Sequence, residues 1–258
     1  MQYALVSGGS KGIGYGIARA LAKRKFNLVL VARNHEDLVK AKSNLESSYS
    51  IQVAILALDI SLPSSAGFIA GWCNEHNIPL KMLCNVAGIG GATDYLSASL
   101  KDSLYMLRLN TEPAIALTYE LLPLLKKNGP SHILNVSSMA GFAPIAVKNV
   151  YSATKSAILF FSCSLKHQLK KDQVGVSCLC PGPVFTKPEI QKDTISKLGW
   201  LGKTMAISAD SAGETAIRKT LLNKMIIVPG TLAWLVSVFL RVLPMQTINF
   251  FVSKKVYR

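Results

Sequence analysis

Short runs of apolar residues alternate with longer amphipathic stretches along most of the chain. Several short runs are apolar at consecutive positions, which is typical of parallel strands that helices cover on both faces. They predict six strands, at Tyr3–Val6, Asn27–Ala32, Ile51–Leu58, Leu80–Val86, His132–Val136 and Val174–Cys180. The longer stretches predict five helices, at Gly12–Lys25, Glu36–Ser48, Pro63–His76, Ser99–Lys126 and Asn149–Lys171. Pro113 falls inside the fourth helix and predicts a kink or break there.

This alternation of strands and helices predicts an α/β fold with a doubly wound parallel sheet in three layers, α/β/α. No repeat or linker-like segment interrupts it, so residues 1–258 are predicted to form a single domain. Residues 183–209 show no clear period. A loop of that length inside a compact domain is typical of a lid over a substrate or cofactor site.

Charge adds one question to this picture. The chain is 50% hydrophobic and has a formal net charge of +15. Such a surplus suggests nucleic acid, an anionic membrane surface or a phosphorylated ligand as a partner. The basic residues are spread along the chain without a long run, which favours a solvated basic surface, and no nucleic-acid partner is expected.

Cysteine and histidine usage argues against a disulfide framework or a metal site. The five cysteines form no Cys-x-x-Cys pair, and the four histidines are far apart, away from metal-ligand spacing. Buried thiols in a reducing compartment are expected. The first residues lack the features of a signal peptide, so a cytoplasmic location is predicted.

The first motif with chemical content is the glycine-rich turn between the first strand and the first helix. Glycines there permit a tight turn and the close approach of a pyrophosphate, and the helix N-terminus offers free N–H groups. The sequence therefore predicts a dinucleotide-phosphate site, formed by Gly8, Ser10, Lys11, Gly12, Ile13 and Gly14.

The spacing of this turn, Gly-x-x-x-Gly-x-Gly, resembles that of the short-chain dehydrogenase/reductase family. Further motifs follow in the family's order: Asn85-Val86-Ala87-Gly88 (with Val where the family has a second Asn), Asn110, Ser138, Tyr151-x-x-x-Lys155 and Pro181-Gly182-x-x-x-Thr186. Ser138 lies thirteen residues before Tyr151, as in the family. The resemblance covers residues 3–186 and implies a Rossmann-type fold that binds a nicotinamide cofactor.

The resemblance implies hydride transfer between the cofactor and a carbonyl or secondary alcohol. Tyr151 is then the general acid and base. Tyrosine has an ordinary pKa of about 10, so a nearby ammonium is needed to lower it; Lys155 lies one helical turn on, on the same face. Ser138 is expected to hydrogen-bond the substrate oxygen beside Tyr151. By resemblance, Lys155 also holds the ribose, and Asn110 anchors a water in a proton relay.

The end of the second strand predicts which cofactor binds. NAD-dependent enzymes place an acid there, whereas this chain has Ala32 followed by Arg33, with Lys11 as a second cation. A guanidinium can bind a 2′-phosphate, so NADP(H) is predicted; the alternative is an ordinary cation at a helix start. Asp59 either contacts the adenine or caps a helix with Ser61, and both can hold. The remaining predicted cofactor contacts are Ile60, Asn85, Ala87, Gly88, Pro181, Gly182, Val184 and Thr186.

Residues 230–258 depart from the family pattern and form a hydrophobic C-terminal extension. From Thr231 to Leu243 only Ser237 and Arg241 interrupt an apolar run, which is too short to span a bilayer. Three interpretations stay open: a cover over the substrate cleft, a subunit interface, or peripheral contact with a membrane. An apolar carbonyl substrate, such as a ketoacyl compound or a steroid-like ketone, is expected.

The resemblance also implies a homodimer or homotetramer packed through the fourth and fifth predicted helices. Two other classes of function compete with an NADP(H)-dependent oxidoreductase. One is a redox sensor that binds NADP(H) without turnover, and the other is a nucleic-acid-binding protein, which only the charge supports. A hydrolase using Ser138 lacks the Gly-x-Ser-x-Gly turn. Because all four catalytic positions are present, the sequence favours the enzyme.

Overall fold

The computed structural model describes residues 2–90, 98–145, 148–185, 204–244 and 246–248 of the chain. Its strands are β1 (Tyr3–Ser7), β2 (Asn27–Ala32), β3 (Val53–Ala57), β4 (Leu80–Asn85), β5 (Ser131–Val136), β6 (Val174–Leu179), β7 (Val184–Phe185), β8 (Ile207–Ser208) and β9 (Ile226–Ile227). Its helices are α1 (Gly12–Ala22), α2 (His35–Tyr49), α3 (Ser65–Glu75), α4 (Leu100–Lys127), α5 (Asn149–Gln168), α6 (Ala209–Leu221) and α7 (Thr231–Val242).

One parallel sheet of seven strands organises the described part of the chain, in the order β3-β2-β1-β4-β5-β6-β9. Strand order runs outward from β1 in one direction and from β4 in the other, which is the doubly wound arrangement predicted from the sequence. The fold class is therefore confirmed. The two-residue strands β7, β8 and β9 were not predicted; β7 and β8 pair in parallel as a separate small sheet.

Both faces of the sheet are buried, because side chains alternate between them along each strand. In β2, Leu28 and Leu30 face a core shared with α1 and α6, where Ile17 is fully buried. Val29 and Val31 face the opposite core, where helices α3, α4 and α5 pack. Consecutive apolar residues in the strand sequences thus reflect two cores, one on each side.

Helix α4 is continuous from Leu100 to Lys127 and contains both Pro113 and Pro123. Of the predicted kink or break at Pro113, the break is therefore wrong, and the kink stays a prediction. A proline removes one backbone hydrogen bond from a helix, and here the packing of buried residues such as Leu117 and Leu121 outweighs that loss. Helix α5 ends earlier than predicted: a 3-10 turn at Leu169–Asp172 follows it, and Gln173 adopts a left-handed conformation.

The C-terminal helix α7 packs one face against the rest of the protein. Ala233 and Ser237 are buried, and Val236 and Leu240 contact a small core that contains Met139 and Met205. The Arg241 guanidinium lies 5.4 Å from the ring centroid of Phe142. Within the described ranges, no helix has the length and apolar character needed to cross a membrane.

Candidate active site

The predicted site residues gather at the carboxyl ends of the central strands. The order of the sheet reverses between β1 and β4. In open α/β sheets, ligands bind in the crevice at such a switch point. The glycine turn follows β1. Asn85 is the last residue of β4, and the loop to Gly88 follows it. Ser138 lies two residues after β5.

The glycine turn and the start of α1 fit a dinucleotide phosphate. Gly8 and Gly12 have positive φ angles of 69° and 57°. A Cβ atom on Gly14 would lie 2.0 Å from the carbonyl oxygen of Gly8, so only glycine allows the helix to approach the turn this closely. No side chain caps the N-terminus of α1, and its first turn contains no acidic residue. Its N–H groups are thus suited to receive an anion.

Asn110 holds the loop after β4 to helix α4. Its side-chain oxygen accepts a hydrogen bond from Ile89 N at 2.8 Å, and its Nδ2 donates to Ile89 O at 2.9 Å. Nδ2 also lies 3.2 Å from Thr154 Oγ1, and Thr154 in turn donates to the carbonyl oxygen of Tyr151. The buried Asn110 therefore ties this loop, α4 and α5 together. Its role in a proton relay stays a prediction.

Ser138 lies at the start of a 3-10 turn, Met139–Gly141, which its own hydroxyl caps. Its Oγ accepts a hydrogen bond from Ala140 N at 3.1 Å, so the hydroxyl proton is left to donate elsewhere. The same hydroxyl interacts with Tyr151 and lowers the pKa of that phenol. Ser138 and Tyr151 thus lie side by side, as the sequence predicts.

The pKa of Tyr151 is raised, which differs from the sequence-based expectation. Burial of the phenol is the main cause, and the hydrogen bond with Ser138 only partly opposes it. Lys155 Nζ lies 5.7 Å from the centroid of the tyrosine ring. It donates instead to the carbonyl oxygen of Val136 at 3.1 Å. A shared helix face brings the two side chains together without making the ammonium the dominant influence on the phenol.

Lys155 is almost completely buried and has no carboxylate partner among the described residues. Burial lowers the pKa of its ammonium to about 8, against an opposing effect of Cys178 and Cys180. A buried lysine with a strongly lowered pKa is costly to the fold and is common at functional sites.

The two cations predicted to bind a 2′-phosphate lie at the start of α1 and the end of β2. Lys11 forms an ion pair with Asp37 of α2 at 2.7 Å, and its side chain is 69% exposed. Arg33 donates a hydrogen bond to the hydroxyl of Tyr105 on α4 at 2.9 Å. Tyr105 and Asp37 were not identified from the sequence, because only the fold brings α2 and α4 to these cations.

Asp59 forms a turn with Ser61 and does not cap a helix. Its Oδ1 accepts from the N–H of Ser61 at 2.9 Å and from its hydroxyl at 2.7 Å. Burial raises the pKa of Asp59, but these hydrogen bonds and the charge of Arg33 outweigh it and leave the pKa lowered. The N-cap residue of α3 is Ser64, so that part of the prediction is wrong. The next residue, Ile60, packs into the core.

The other residues predicted to contact the cofactor follow the central strands, and their contacts with a cofactor stay predictions. Ala87 approaches the glycine turn: a Cβ on Gly8 would lie 2.9 Å from its Cα. Asn85 donates to Asn135 Oδ1 at 2.9 Å and links β4 to β5. Pro181 accepts a hydrogen bond from Met139 N, which places the Pro181–Gly182 segment beside Ser138. Thr186 lies outside the described residues, as do residues 186–203 of the predicted lid.

A shallow pocket opens beside Tyr151. It is bordered by α4 and by the start of α5, with both polar and apolar side chains: Ala98, Asp102, Ser103, Met106, Lys148, Asn149, Val150 and Tyr151. Of the predicted catalytic residues, Tyr151 is the one among the described residues that lines it.

Comparison with known proteins identifies the class of this protein. The short chain dehydrogenase family matches residues 2–197, about three quarters of the chain. The chain belongs to this family of oxidoreductases, which use a nicotinamide cofactor.

Particular relatives extend the likeness. The chain is 28% identical over 220 residues to the ketoacyl reductase HetN of a Nostoc species, covering 85% of this chain and 75% of that protein. It is 28% identical over 201 residues to the very-long-chain 3-oxoacyl-CoA reductase of Mus musculus, covering 76% of this chain. The chain spans 64% of the mouse protein, less than two thirds. A short-chain dehydrogenase from Sphingobium yanoikuyae, solved in complex with NADPH, superposes with a TM-score of 0.79 at 25% identity, covering 90% of this chain and 89% of that one.

Proposed function

We propose that this protein is an NADP(H)-dependent reductase that converts an apolar ketone, of the 3-oxoacyl kind, to the secondary alcohol. The observation that carries the proposal is the convergence of Ser138, Tyr151 and Lys155 on one crevice, next to a glycine turn whose helix N-terminus is uncapped. This arrangement pairs a proton donor with an anion site at the switch point of the sheet.

The chain's own residues have distinct tasks in this proposal. The bound nicotinamide supplies the hydride. Tyr151 donates its phenolic proton to the carbonyl oxygen. Burial raises the pKa of the phenol and opposes this transfer, whereas the hydrogen bond with Ser138 lowers the pKa and favours it. Ser138 donates its hydroxyl proton to the same oxygen and polarises the carbonyl. Lys155 holds the ribose, and the N–H groups at the start of α1 hold the pyrophosphate.

The preference for NADP(H) is supported by Lys11 and Arg33. Both cations lie beside the crevice, at the ends of elements that border the adenosine half of a dinucleotide site. The related Sphingobium enzyme was solved with NADPH. Asp37 opposes the preference, because its carboxylate already neutralises Lys11.

The apolar nature of the substrate is supported by two observations. The inner face of α7 packs on Met139 and Phe142, next to Ser138, and gives this side of the crevice an apolar wall. Two relatives are named for ketoacyl and very-long-chain 3-oxoacyl substrates. In this proposal residues 183–209 act as the lid that the sequence predicts over the substrate and cofactor site.

A homodimer or homotetramer through α4 and α5 is part of the same proposal. Both helices expose large side chains, Tyr119 at 77% and Phe160 at 68%, which supports a contact between copies. Cytoplasmic location stays a prediction from the sequence.

The test is NADPH oxidation by the purified protein with 3-oxoacyl thioesters and simple ketones of increasing chain length, with NADH in parallel. We expect turnover with NADPH that improves with chain length. Tyr151→Phe should lower kcat/KM by about 100-fold or more, while Tyr119→Phe, which removes the same hydroxyl from an exposed ring, should leave it unchanged.

Other outcomes are equally informative. NADPH binding without turnover on any ketone would favour the redox sensor. A preference for NADH would refute the role given to Lys11 and Arg33. Unchanged hydride transfer in Tyr151→Phe would refute the catalytic assignment.

A further inference from the structure

The outer face of α7 is apolar and exposed, and no described residue covers it. Trp234, Leu235, Phe239 and Val242 are between 49% and 78% exposed. At 100° per residue they fall on the side of the helix opposite the buried Ala233 and Ser237. A surface helix ordinarily turns charged or polar residues outward. A continuous apolar face of this kind marks a contact with an apolar partner.

One cation, the guanidinium of Arg241, borders this apolar face without lying on it. Arg241 donates from Nε to the carbonyl oxygen of Ser237 at 3.0 Å and stacks over the ring of Phe142. The cation therefore lies along the edge of the helix, between the buried and the exposed faces. An apolar face bordered by a cation fits the boundary between the headgroups and acyl chains of a bilayer.

Charge separates a lipid surface from a second copy of the chain as the occupant. Residues 215–258 contain seven lysines and arginines and no aspartate or glutamate, in a chain of net charge +15. A second copy would bring the same positive segment to the contact, which opposes association. Anionic phospholipids bring the opposite charge and attract such a segment.

The length of the helix determines how it can meet a bilayer. Twelve residues extend over about 18 Å, well short of the hydrocarbon thickness, and the inner face is already engaged with the protein core. The helix can therefore only lie in the plane of the membrane. A tryptophan and a phenylalanine on the outer face suit the interface, where aromatic side chains are enriched.

We infer that α7 docks this protein onto an anionic phospholipid bilayer, with Trp234, Leu235 and Phe239 inserted among the headgroups. This inference does not depend on turnover, so its test is separate from that of the proposed function.

The experiment measures binding of the full chain to vesicles by sedimentation. One set contains equal parts of phosphatidylcholine and phosphatidylglycerol, and the other phosphatidylcholine alone. We expect binding to the anionic vesicles that weakens as salt is raised, and weaker binding to the neutral ones. Phe239→Ser should weaken binding to anionic vesicles about tenfold. Phe68→Ser on α3 removes a comparably exposed ring, 56% against 64%, and should leave binding unchanged.

Fluorescence locates the contact. Addition of anionic vesicles should shift tryptophan emission to shorter wavelength in the natural chain, and Trp234→Phe should abolish the shift. Thermal melting of each variant confirms that it is folded, which is expected because the substituted side chains are exposed.

Three results would overturn the inference. The first is no binding to anionic vesicles at low salt. The second is equal loss of binding in Phe239→Ser and Phe68→Ser. The third is a fall in molar mass in solution for Phe239→Ser without a change in vesicle binding, which would assign the face to a second copy of the chain.

Discussion

Helices α1 and α7 are similar in length and are both apolar around most of their circumference, yet the fold treats them differently. The sheet covers α1 on one side and α6 covers it on the other, so Ile17 and Leu21 are completely buried. Helix α7 has a partner on its inner side only, and Phe239 remains 64% exposed. The same hydrophobic pattern thus accompanies a helix inside the core and a helix at the surface.

The two helices differ in exposure because other elements pack against both sides of α1 and against only one side of α7. On α1, a Cβ atom added to Gly14 would lie 2.0 Å from the carbonyl oxygen of Gly8, and one added to Gly16 would lie 2.2 Å from that of Ala209. Around the outer face of α7 no described residue limits the size of a side chain. We therefore expect the cofactor region to be intolerant of small changes and α7 to accept large ones without loss of stability.

The largest effect is expected at the glycine turn. Gly14→Ala places a methyl group against the Gly8 carbonyl, which forces the helix away from the turn. We expect a loss of about 3 kcal/mol in the free energy of unfolding and a loss of more than about tenfold in NADPH affinity, measured by denaturant titration and by fluorescence.

Gly67→Ala on α3 is the matched control. No atom lies within 4 Å of the position of its added Cβ, so the same substitution should stabilise the protein by about 0.5–1 kcal/mol. Equal effects at both positions would contradict the account of the close approach.

The next effect concerns the buried ammonium. Lys155→Met removes a charge that burial disfavours and should raise the free energy of unfolding at neutral pH by about 1–3 kcal/mol, while abolishing turnover. In the natural chain the pKa of Lys155 in the folded state is about 8, below the ordinary lysine value of 10.5. The unfolded state therefore holds this proton more tightly, and stability should rise with pH across that interval.

Denaturant titration from pH 7 to pH 11, with and without the substitution, isolates this contribution. The difference in stability between the two proteins should shrink as pH rises through about 8 toward 10.5. A difference that stays constant with pH would show that Lys155 keeps its ordinary pKa.

A smaller effect is expected at the cation pair. Asp37→Asn removes the carboxylate that neutralises Lys11, so the cation is left for a 2′-phosphate. We expect NADPH to bind about two- to fivefold more tightly, with NADH unaffected. Glu36→Gln removes a neighbouring charge from the same first turn of α2 and should not change the ratio of the two affinities. A loss of NADPH affinity in Asp37→Asn would mean that the carboxylate positions Lys11 instead.

The smallest effect is expected on α7. Phe239→Ala should change the free energy of unfolding by less than about 0.5 kcal/mol, because most of the ring is already exposed. Ile17→Ala on α1, which removes fewer atoms, should cost about 2–4 kcal/mol. Thermal melting in the absence of lipid distinguishes the two. A large loss for Phe239→Ala would show that the outer face of α7 is covered in solution.

The sequence predicted those features that depend on local patterns. The six strands, the glycine turn and the pairing of Ser138 with Tyr151 follow from hydrophobic runs and fixed spacing. The two-residue strands β7 and β9 have too few residues to show a period. Helix α4 continues through Pro113 because tertiary packing offsets the lost hydrogen bond.

Contacts between remote segments could not be predicted. Asp37 and Tyr105 become neighbours of Lys11 and Arg33 only when α2 and α4 pack on the sheet. The raised pKa of Tyr151 depends on how completely the fold buries the phenol, which spacing along a helix does not reveal. The sequence left open what the C-terminal helix contacts. The structure shows the partners of its inner face, Met139 and Phe142, and no described residue covers its outer face.

The packing of α7 beside Ser138 also bears on how much of the chain the folded domain needs. The family model matches the chain up to residue 197, yet residues that follow it pack beside Ser138. Ala233 and Met205 flank Gly182, β9 completes the sheet beside β6, and α6 closes the layer over α1. A fragment that ended at residue 197 would therefore lack the last strand of the sheet, the helix that covers α1 and the apolar packing beside Ser138.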